Sequence, residues 1–222
     1  MSLPSIQPYR PPTADEIPAG RVDWRPDPAR AALLVHDMQR YFLAPFAGAP
    51  VPEVTVNIGR LLAAAREQQM PVFYTAQPAR QEPADRGLLT EFWGAGIGAV
   101  IDADPRAADI VPELAPEPGD RVLVKWRYSA FQRSTFAEEL AARGCDQLLV
   151  TGVYAHIGCQ ATAVEAFMRD IRPFLVADAV ADFSRQRHDQ ACEYVAQRCG
   201  AVLTTADAVT ALTASAPIGG TR

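Results

Sequence analysis

Short runs of consecutive apolar residues alternate along this chain with stretches in which apolar residues recur every three or four positions. The runs predict strands, and the spaced patterns predict helices between them. The predicted strands are residues 31–37, 70–76, 121–126, 147–153, 174–180 and 201–205, and the predicted helices are residues 52–69, 134–144, 159–171, 184–199 and a short last segment. Strands that are apolar throughout, with helices between them, are typical of a parallel sheet covered on both faces. We therefore predict an α/β protein with a three-layer α/β/α, Rossmann-like fold around a central parallel sheet of about six strands.

Local signals mark where two of these helices begin and end. Thr135 and Glu138 have the spacing of a capping box, and Gly144 follows the same helix as its stop signal. Ser184 precedes the helix that Gly200 ends, which predicts a serine N-cap.

The ends of the chain differ from its middle. Residues 1–30 are rich in proline and polar side chains, which predicts an extended arm over the surface and not a separate domain. The remaining length is enough to bury a substantial core. We expect one domain over residues 31–215 and a short tail over residues 216–222.

One long segment interrupts the alternation. Residues 77–120 are long for a connection inside a compact domain, and such segments are usually functional. We expect a lid or pocket wall whose Arg86 and Trp93 face a ligand; the alternative is a surface insertion that contacts no site.

Composition argues against several kinds of partner. The chain has 222 residues and a net charge of −5 without a Lys/Arg run, which argues against a nucleic-acid partner. No apolar run approaches the ~20 residues of a membrane span, and the N-terminus has no signal-peptide pattern. Four cysteines without a CxxC pair predict reduced thiols in a cytoplasmic protein. Cys192, Cys199 and His188 are too few ligands for zinc, so we expect plain helix packing there and no metal.

Two charged residues follow apolar strands. Sites on parallel sheets lie beyond the carboxyl ends of the strands, where Asp37 and Lys125 are both found. Taken singly, Asp37 has an ordinary explanation as a helix N-cap, and Lys125 as a rim lysine whose stem covers the sheet edge. A carboxylate at the end of an apolar strand is costly unless it is paired or used. Together, at one edge of the sheet, the two residues favour an acid–base pair.

Several long blocks carry a resemblance to a known family. They are, in chain order, LLVHDMQRYF, YTAQP, DRGLLTEFWGAGI, VLVKWRYSAF and TGVYAHIGCQATAVEAFMRDIRPFLVADAVADFS. From about residue 6 to about residue 209 the chain resembles isochorismatases, which belong to the isochorismatase-like hydrolase superfamily together with nicotinamidases.

The resemblance implies the superfamily's machinery of an Asp, a Lys and a nucleophilic Cys, and it assigns the first two roles to Asp37 and Lys125. Cysteine-using relatives place their thiol six residues after the glycine that ends the strand; counted from Gly152, that position is Gly158. Cys159 lies one residue later, a rotation of ~100° on a helix. We therefore expect Cys159 to pack as a small hydrophobe and not to act as the nucleophile.

A chain without this thiol forms no acyl-enzyme, which disfavours amide hydrolysis. The resemblance implies instead hydrolysis of the enolpyruvyl vinyl ether of isochorismate to 2,3-dihydro-2,3-dihydroxybenzoate and pyruvate, a step of catecholate siderophore biosynthesis. In this hypothesis Asp37 is the general acid, Lys125 the orienting cation, and Gly158 a backbone N–H donor. The general acid needs a raised pKa; burial would raise the pKa of Asp37 and a charged Lys125 would lower it, and the residues alone leave this balance open.

The substrate carries two carboxylates and a ring. The resemblance implies Gln77 and Arg86 as polar contacts, since an arginine fork matches two carboxylate oxygens. It implies Trp93, Phe42 and Tyr154 as apolar walls; core packing is the alternative for Trp93 and Phe42. A non-proline cis peptide bond is expected before Tyr154.

The three histidines receive lesser roles. His36 precedes Asp37 on a buried strand, so we expect it to point to the opposite face as a core residue. We expect His156 to support the site at most, and His188 to lie on a helix surface.

Alternative functions remain open. The phenazine-pathway homologue, which cleaves the 2-amino analogue of isochorismate, has the same residues at these positions, and a Cys-dependent amidohydrolase and a non-catalytic binding role are further candidates. No cofactor is implied, and relatives are commonly homodimers. The chain ends at Arg222, too soon for the carrier domain that some siderophore isochorismatases have, so we expect any carrier protein or synthetase of the pathway to be separate.

Overall fold

The computed structural model describes residues 3–214. Its strands are β1 Ala31–His36, β2 Val72–Ala76, β3 Arg121–Val124, β4 Gln147–Val153, β5 Arg172–Ala181 and β6 Ala201–Leu203. Its α-helices are α1 Arg40–Leu43, α2 Val51–Glu67, α3 Pro83–Arg86, α4 Leu89–Trp93, α5 Phe136–Ala142, α6 Gln160–Met168, α7 Arg185–Arg198 and α8 Thr205–Thr213. The tail expected over residues 216–222 lies outside the described residues.

The sheet confirms the predicted architecture. Its six strands are parallel throughout and lie in the order β3-β2-β1-β4-β5-β6. Helices α2 and α8 cover one face, and α5, α6 and α7 cover the other. Alternate residues of each strand enter the two cores: Leu33 and Val35 pack on the first face, and Ala32 and Leu34 on the second. The result is a three-layer α/β/α fold.

The strand order reverses between β1 and β4. The chain adds β2 and β3 on one side of β1, then crosses to β4 and adds β5 and β6 on the other side. Strands β1 and β4 pair along their length, up to His36 opposite Gly152. The segments that follow these two strands therefore start side by side, at the place where α/β sheets bind ligands.

The N-terminal arm reaches the core. Ile6 is 1% exposed and bridges to Phe46. The Tyr9 hydroxyl accepts a hydrogen bond from the backbone N–H of Asp182 at 2.7 Å. The arm therefore contributes to packing as well as covering the surface, and the domain bounds 31–215 stay a prediction.

Residues 77–120 are ordered around α3, α4 and two 3-10 turns, Gly96–Ala99 and Pro112–Leu114. The segment is attached beside the residues that follow β1: the Arg40 N–H donates to Asp109 O at 2.9 Å, and the Val111 N–H donates to Met38 O at 3.0 Å. It therefore lies over the carboxyl end of β1.

The helix signals are confirmed in part. Ser184 accepts from the Arg187 N–H at 3.3 Å, as expected of an N-cap. The prediction of a capping box at Thr135 is wrong, because Thr135 has a ψ of 15° and so lacks the extended conformation of an N-cap residue. Its hydroxyl instead donates to the Glu139 carboxylate at 2.8 Å.

The expectation that His188 lies on a helix surface is also wrong. The side chain is 0% exposed, and its Nε2 lies 2.8 Å from Ala177 O of β5. Its other nitrogen, Nδ1, lies 3.2 Å from the Tyr9 hydroxyl. The face of α7 that carries His188 packs on the sheet under the N-terminal arm, which the helical spacing of apolar residues alone did not indicate.

Candidate active site

A cavity lies beyond the carboxyl ends of β1 and β4, where the strand order reverses. About 570 Å³ at this place is free of protein atoms, a volume that includes the open solvent at its mouth. All eight residues selected from the sequence line it: Asp37, Phe42, Gln77, Arg86, Trp93, Lys125, Tyr154 and Gly158. Their convergence supports the site as a unit, while the role of each residue stays a prediction.

Asp37 and Lys125 form a buried ion pair on the cavity wall. Lys125 Nζ lies 3.0 Å from Asp37 Oδ2, and the two side chains are only 3% and 7% exposed. Thr75 of β2 holds the carboxylate from the other side, since its hydroxyl donates to Asp37 Oδ1 at 2.5 Å and accepts from the Asp37 N–H at 3.0 Å. The pair therefore has a fixed geometry with one carboxylate oxygen bonded to each partner.

Opposing effects set the protonation state of Asp37. Burial alone would raise the pKa of this carboxyl, but His36, the Lys125 ammonium and the hydrogen bonds from Thr75 and Lys125 outweigh it and hold the pKa below its ordinary value. Without a ligand, Asp37 is therefore a carboxylate at neutral pH. A general-acid role requires that substrate binding reverse this balance.

His36 lies in the same cavity, so the expectation that it points to the opposite face from Asp37 is wrong. Asp37 has a φ of +50°, outside the β region, and strand alternation ends there. His36 Nδ1 lies 2.7 Å from Val153 O and 3.6 Å from Asp37 Oδ2. Burial lowers the pKa of His36 to about 4, so the ring is neutral at pH 7 and its Nδ1 proton is donated to the Val153 carbonyl.

Gly158 and Cys159 face different parts of the molecule. Residues Ala155–Cys159 form a π-helical turn ahead of α6, and Gly158 lines the cavity. Cys159 is 0% exposed and packs in the core beneath α5, α6 and α7, with its Sγ 3.8 Å from Thr151 O. Burial raises the pKa of this thiol well above its ordinary value, the opposite of what a thiolate nucleophile needs.

The segment 77–120 forms a wall of the cavity. Arg86 is 6% exposed; its Nε donates to Gly94 O and its Nη1 to Gln81 Oε1 at 2.9 Å. Trp93 Nε1 donates to the Tyr128 hydroxyl at 2.8 Å. These bonds hold Arg86 and Trp93 at the cavity, as the lid or pocket-wall interpretation expects.

Gln39, which the sequence analysis did not select, anchors this wall. The side chain is 0% exposed; its Oε1 accepts from the Gln77 N–H at 2.7 Å, and its Nε2 donates to Gln77 O at 2.8 Å and to Ala108 O at 2.6 Å. It therefore joins the start and a later part of the long segment to the turn after β1. The signal in the sequence was its place two residues after Asp37, in the turn that follows an apolar strand.

A cluster of aromatic side chains forms another wall of the cavity. The peptide bond between Val153 and Tyr154 is cis, as the resemblance implied. The Tyr154 hydroxyl donates to Phe42 O at 2.7 Å, and its ring lies 4.4 Å from that of Phe183 between centroids. Phe183 also lines the cavity and was not selected from the sequence.

Asp182 was also not selected from the sequence. It is fully buried, and its carboxylate accepts from the His156 backbone N–H and lies against the His156 ring Nδ1, each at 2.6 Å. These bonds hold the start of the turn that carries Gly158. An acid directly after the apolar β5 is the same signal that identified Asp37.

Residues 3–214 contain neither a cluster of metal-ligating side chains nor a membrane-spanning helix. No group of three or more His, Cys, Asp or Glu side chains there is arranged to hold a metal ion. No helix in that part of the chain is both long and apolar enough to cross a membrane.

Known proteins with similar sequence and fold identify the family. Residues 31–207 match the model of the isochorismatase domain. The chain is 53% identical over 207 residues to the isochorismatase of Bacillus subtilis (strain 168). The match covers 92% of this chain and 65% of that protein, so the chain spans slightly less than two thirds of that relative's length. It is 49% identical over 207 residues to the phenazine biosynthesis protein PhzD of Pseudomonas fluorescens, with 93% and 98% covered. Its fold matches that of a cysteine hydrolase from Pseudomonas syringae pv. phaseolicola 1448A with a TM-score of 0.76 at 23% identity, over 90% and 99% of the two chains. The chain therefore belongs to the isochorismatase family of hydrolases.

Proposed function

We propose that this protein hydrolyses the enolpyruvyl vinyl ether of isochorismate to 2,3-dihydro-2,3-dihydroxybenzoate and pyruvate. The observation that carries this proposal is a buried Asp37–Lys125 pair in a cavity that has Gly158, and no thiol among its described lining residues. Such a site can transfer a proton but offers no sulfur for an acyl-enzyme. The 53% identity to a protein named isochorismatase supports the same function.

The proposed reaction begins with proton transfer to carbon. Asp37 gives its proton to the terminal CH2 of the vinyl ether, whose π electrons form the new C–H bond and leave an oxocarbenium ion. Water adds to the cationic carbon and returns a proton to the Asp37 carboxylate. The resulting hemiketal breaks its bond to the ring oxygen, its hydroxyl proton passes to that oxygen, and pyruvate and the ring alcohol leave.

Substrate binding must raise the pKa of Asp37 for this step. A substrate carboxylate next to Lys125 neutralises part of the cation that holds the pKa of Asp37 down. Filling the cavity also removes water, which strengthens the effect of burial on the carboxyl. Lys125 then acts as the cation that orients the substrate and links its binding to the protonation of Asp37.

The remaining predicted residues fit the two carboxylates and the ring. Arg86 uses Nε and Nη1 within the protein, so we assign its Nη2 to a substrate carboxylate. Gln77 is held by Gln39 at the cavity edge and supplies an amide to the same group. Trp93, Phe42 and Tyr154 provide apolar surface for the ring, and Gly158 a backbone N–H.

The test of this function is pyruvate release, followed with lactate dehydrogenase and NADH. We expect turnover of isochorismate with a kcat/KM at least about tenfold higher than that of 2-amino-2-deoxyisochorismate. A reversed preference would establish the phenazine-type function, which the 49% identity to PhzD makes the second candidate. No pyruvate from either compound would overturn the proposal.

Replacing Cys159 by alanine separates this function from cysteine-dependent amide hydrolysis. Because the thiol is buried in the core, we expect Cys159→Ala to cost roughly 1–2 kcal/mol of unfolding free energy and to leave kcat for pyruvate release within about threefold of the parent. Urea unfolding and the coupled assay measure the two effects. A variant that is folded but has lost all activity would identify Cys159 as the nucleophile.

We also propose a cytoplasmic setting in catecholate siderophore biosynthesis. The four cysteines are free and buried, which suits a reducing compartment. In this setting the protein works as a homodimer and passes its product to a separate carrier protein or synthetase of the pathway. Light scattering after size-exclusion chromatography tests the dimer.

A further inference from the structure

The imidazole of His36 occupies the volume that a side chain at position 158 would need. A Cβ built on Gly158 would lie 2.7 Å from His36 Nε2 and 3.1 Å from Nδ1, and closer still to the Cε1 between them. Packed protein interiors do not contain carbon contacts this short. Either the ring or the turn would have to move to admit even a methyl group.

Backbone conformation does not require glycine at this position. Gly152, at the end of β4, has a φ of +103°, which L side chains rarely adopt. Gly158 lies in the π-helical turn and is not among the glycines with positive φ. The collision with His36 is therefore what excludes a side chain there.

The ring is held in place on several sides. His36 is 1% exposed, and its Nδ1 donates to Val153 O at 2.7 Å. Rotating the ring away would leave that buried carbonyl without its donor. The backbone of His36 also lies close beside Gly152, where an added Cβ would be 2.8 Å from the His36 nitrogen.

We propose that His36 is a specificity-determining residue: its ring excludes a nucleophilic side chain from position 158 and so restricts the site to proton transfer. This inference rests on the proposed function and explains what maintains it. The absence of a thiol at position 158 and the presence of the imidazole at position 36 then depend on each other, because a cysteine side chain at 158 and the His36 ring would occupy the same space. Restoring a thiol at this position requires a smaller residue at position 36.

A double-mutant cycle tests the steric link. We expect Gly158→Ala to lower kcat/KM for pyruvate release at least about tenfold and to lower the urea midpoint, although the methyl group has no chemistry of its own. In the His36→Ala background, we expect Gly158→Ala to lower the urea midpoint less than in the parent and to cost at least about tenfold less kcat/KM. An equal loss of midpoint in the two backgrounds would overturn the inference, as would a Gly158→Ala protein with the parent's activity and midpoint.

His188→Ala in the Gly158→Ala background is the matched control. His188 is also a buried histidine bonded to a backbone carbonyl, but it projects from α7 against β5 and the N-terminal arm and does not line the cavity. Its removal is expected to recover nothing. Equal recovery from the two histidine variants would contradict a specific contact between His36 and position 158.

Alkylation gives a readout that a merely structural role would not change and that needs no substrate. In folded His36→Ala/Gly158→Cys, we expect iodoacetamide to label the introduced thiol at least about tenfold faster than in Gly158→Cys, with Cys159 as the unlabelled internal reference in peptide mass spectra. Equal labelling rates would overturn the inference. If the parent releases no pyruvate, the proposed function fails while labelling and stability still decide the role of His36.

Discussion

Asp37→Asn is expected to lower kcat for pyruvate release by a factor of about 10²–10⁴, the usual contribution of a positioned acid. Asparagine keeps the shape of the side chain and can still accept the hydrogen bond that Thr75 donates at 2.5 Å. It has no acidic proton to give to the vinyl carbon, so loss of chemistry with a retained fold is the expected result. The coupled assay measures kcat, and circular dichroism checks the fold.

Asp178→Asn is the matched control for this variant. Asp178 is also a carboxylate on a strand, but its Oδ1 accepts from the Thr205 N–H at 2.6 Å and from the Thr205 hydroxyl at 2.7 Å, at the start of α8. It does not line the cavity. The control is expected to lose stability and to keep kcat. A folded Asp37→Asn protein with parental kcat would remove Asp37 from the mechanism.

Lys125→Met is expected to destabilise the protein by about 3–5 kcal/mol at neutral pH and to reduce turnover strongly. The variant leaves the buried Asp37 carboxylate without the ammonium that lies 3.0 Å away. Removing both charges in Asp37→Asn/Lys125→Met is expected to recover most of that stability while the protein stays inactive. Urea unfolding gives the free energies, and no recovery in the double variant would mean that Lys125 contributes through its packing and not through the pair.

The pH dependence of this loss has a definite sign. In the parent, the folded-state pKa of Asp37 is below its unfolded value of about 3.9, so the pair's contribution to stability is present above that pH and is lost as the pH falls through the folded pKa. Without Lys125, its charge and its hydrogen bond no longer lower the folded-state pKa of Asp37, so this pKa is higher in the variant than in the parent. The difference in stability between parent and variant should therefore narrow as the pH falls through the folded-state pKa of the variant. A difference that stays constant as the pH is lowered would show that the pKa of Asp37 is not raised in the variant.

Residue types were enough to predict the sheet and to single out Asp37 and Lys125, whereas the resemblance to isochorismatases supplied the other residues selected for the cavity. Asp37 and Lys125 were identifiable because a charge is rarely placed at the end of a buried strand without a partner. They lie close together because the carboxyl ends of parallel strands are all at the same edge of the sheet. The spacing found in cysteine-using relatives placed Gly158, and not Cys159, at the position of the nucleophile, and one residue on a helical turn changes the direction of a side chain.

The same reasoning failed where the local backbone departs from ideal geometry. The positive φ of Asp37 ended the alternation that had been used to turn His36 away from the site. The roles of Thr75, Gln39 and Asp182 depend on hydrogen bonds to residues 38, 69 and 26 positions away in the sequence. No period or motif in a single chain specifies such partners.

By itself, then, the sequence determined the layered α/β fold, the edge of the sheet that bears the site and the chemical groups available there, because burial and strand direction follow from residue type and order. Only the tertiary structure decided that Asp37 is a carboxylate before substrate binds and that the ring of His36 takes the space beside Gly158. Both depend on distances of a few ångströms between segments far apart in the chain. Charge interactions and steric exclusion change steeply over such distances.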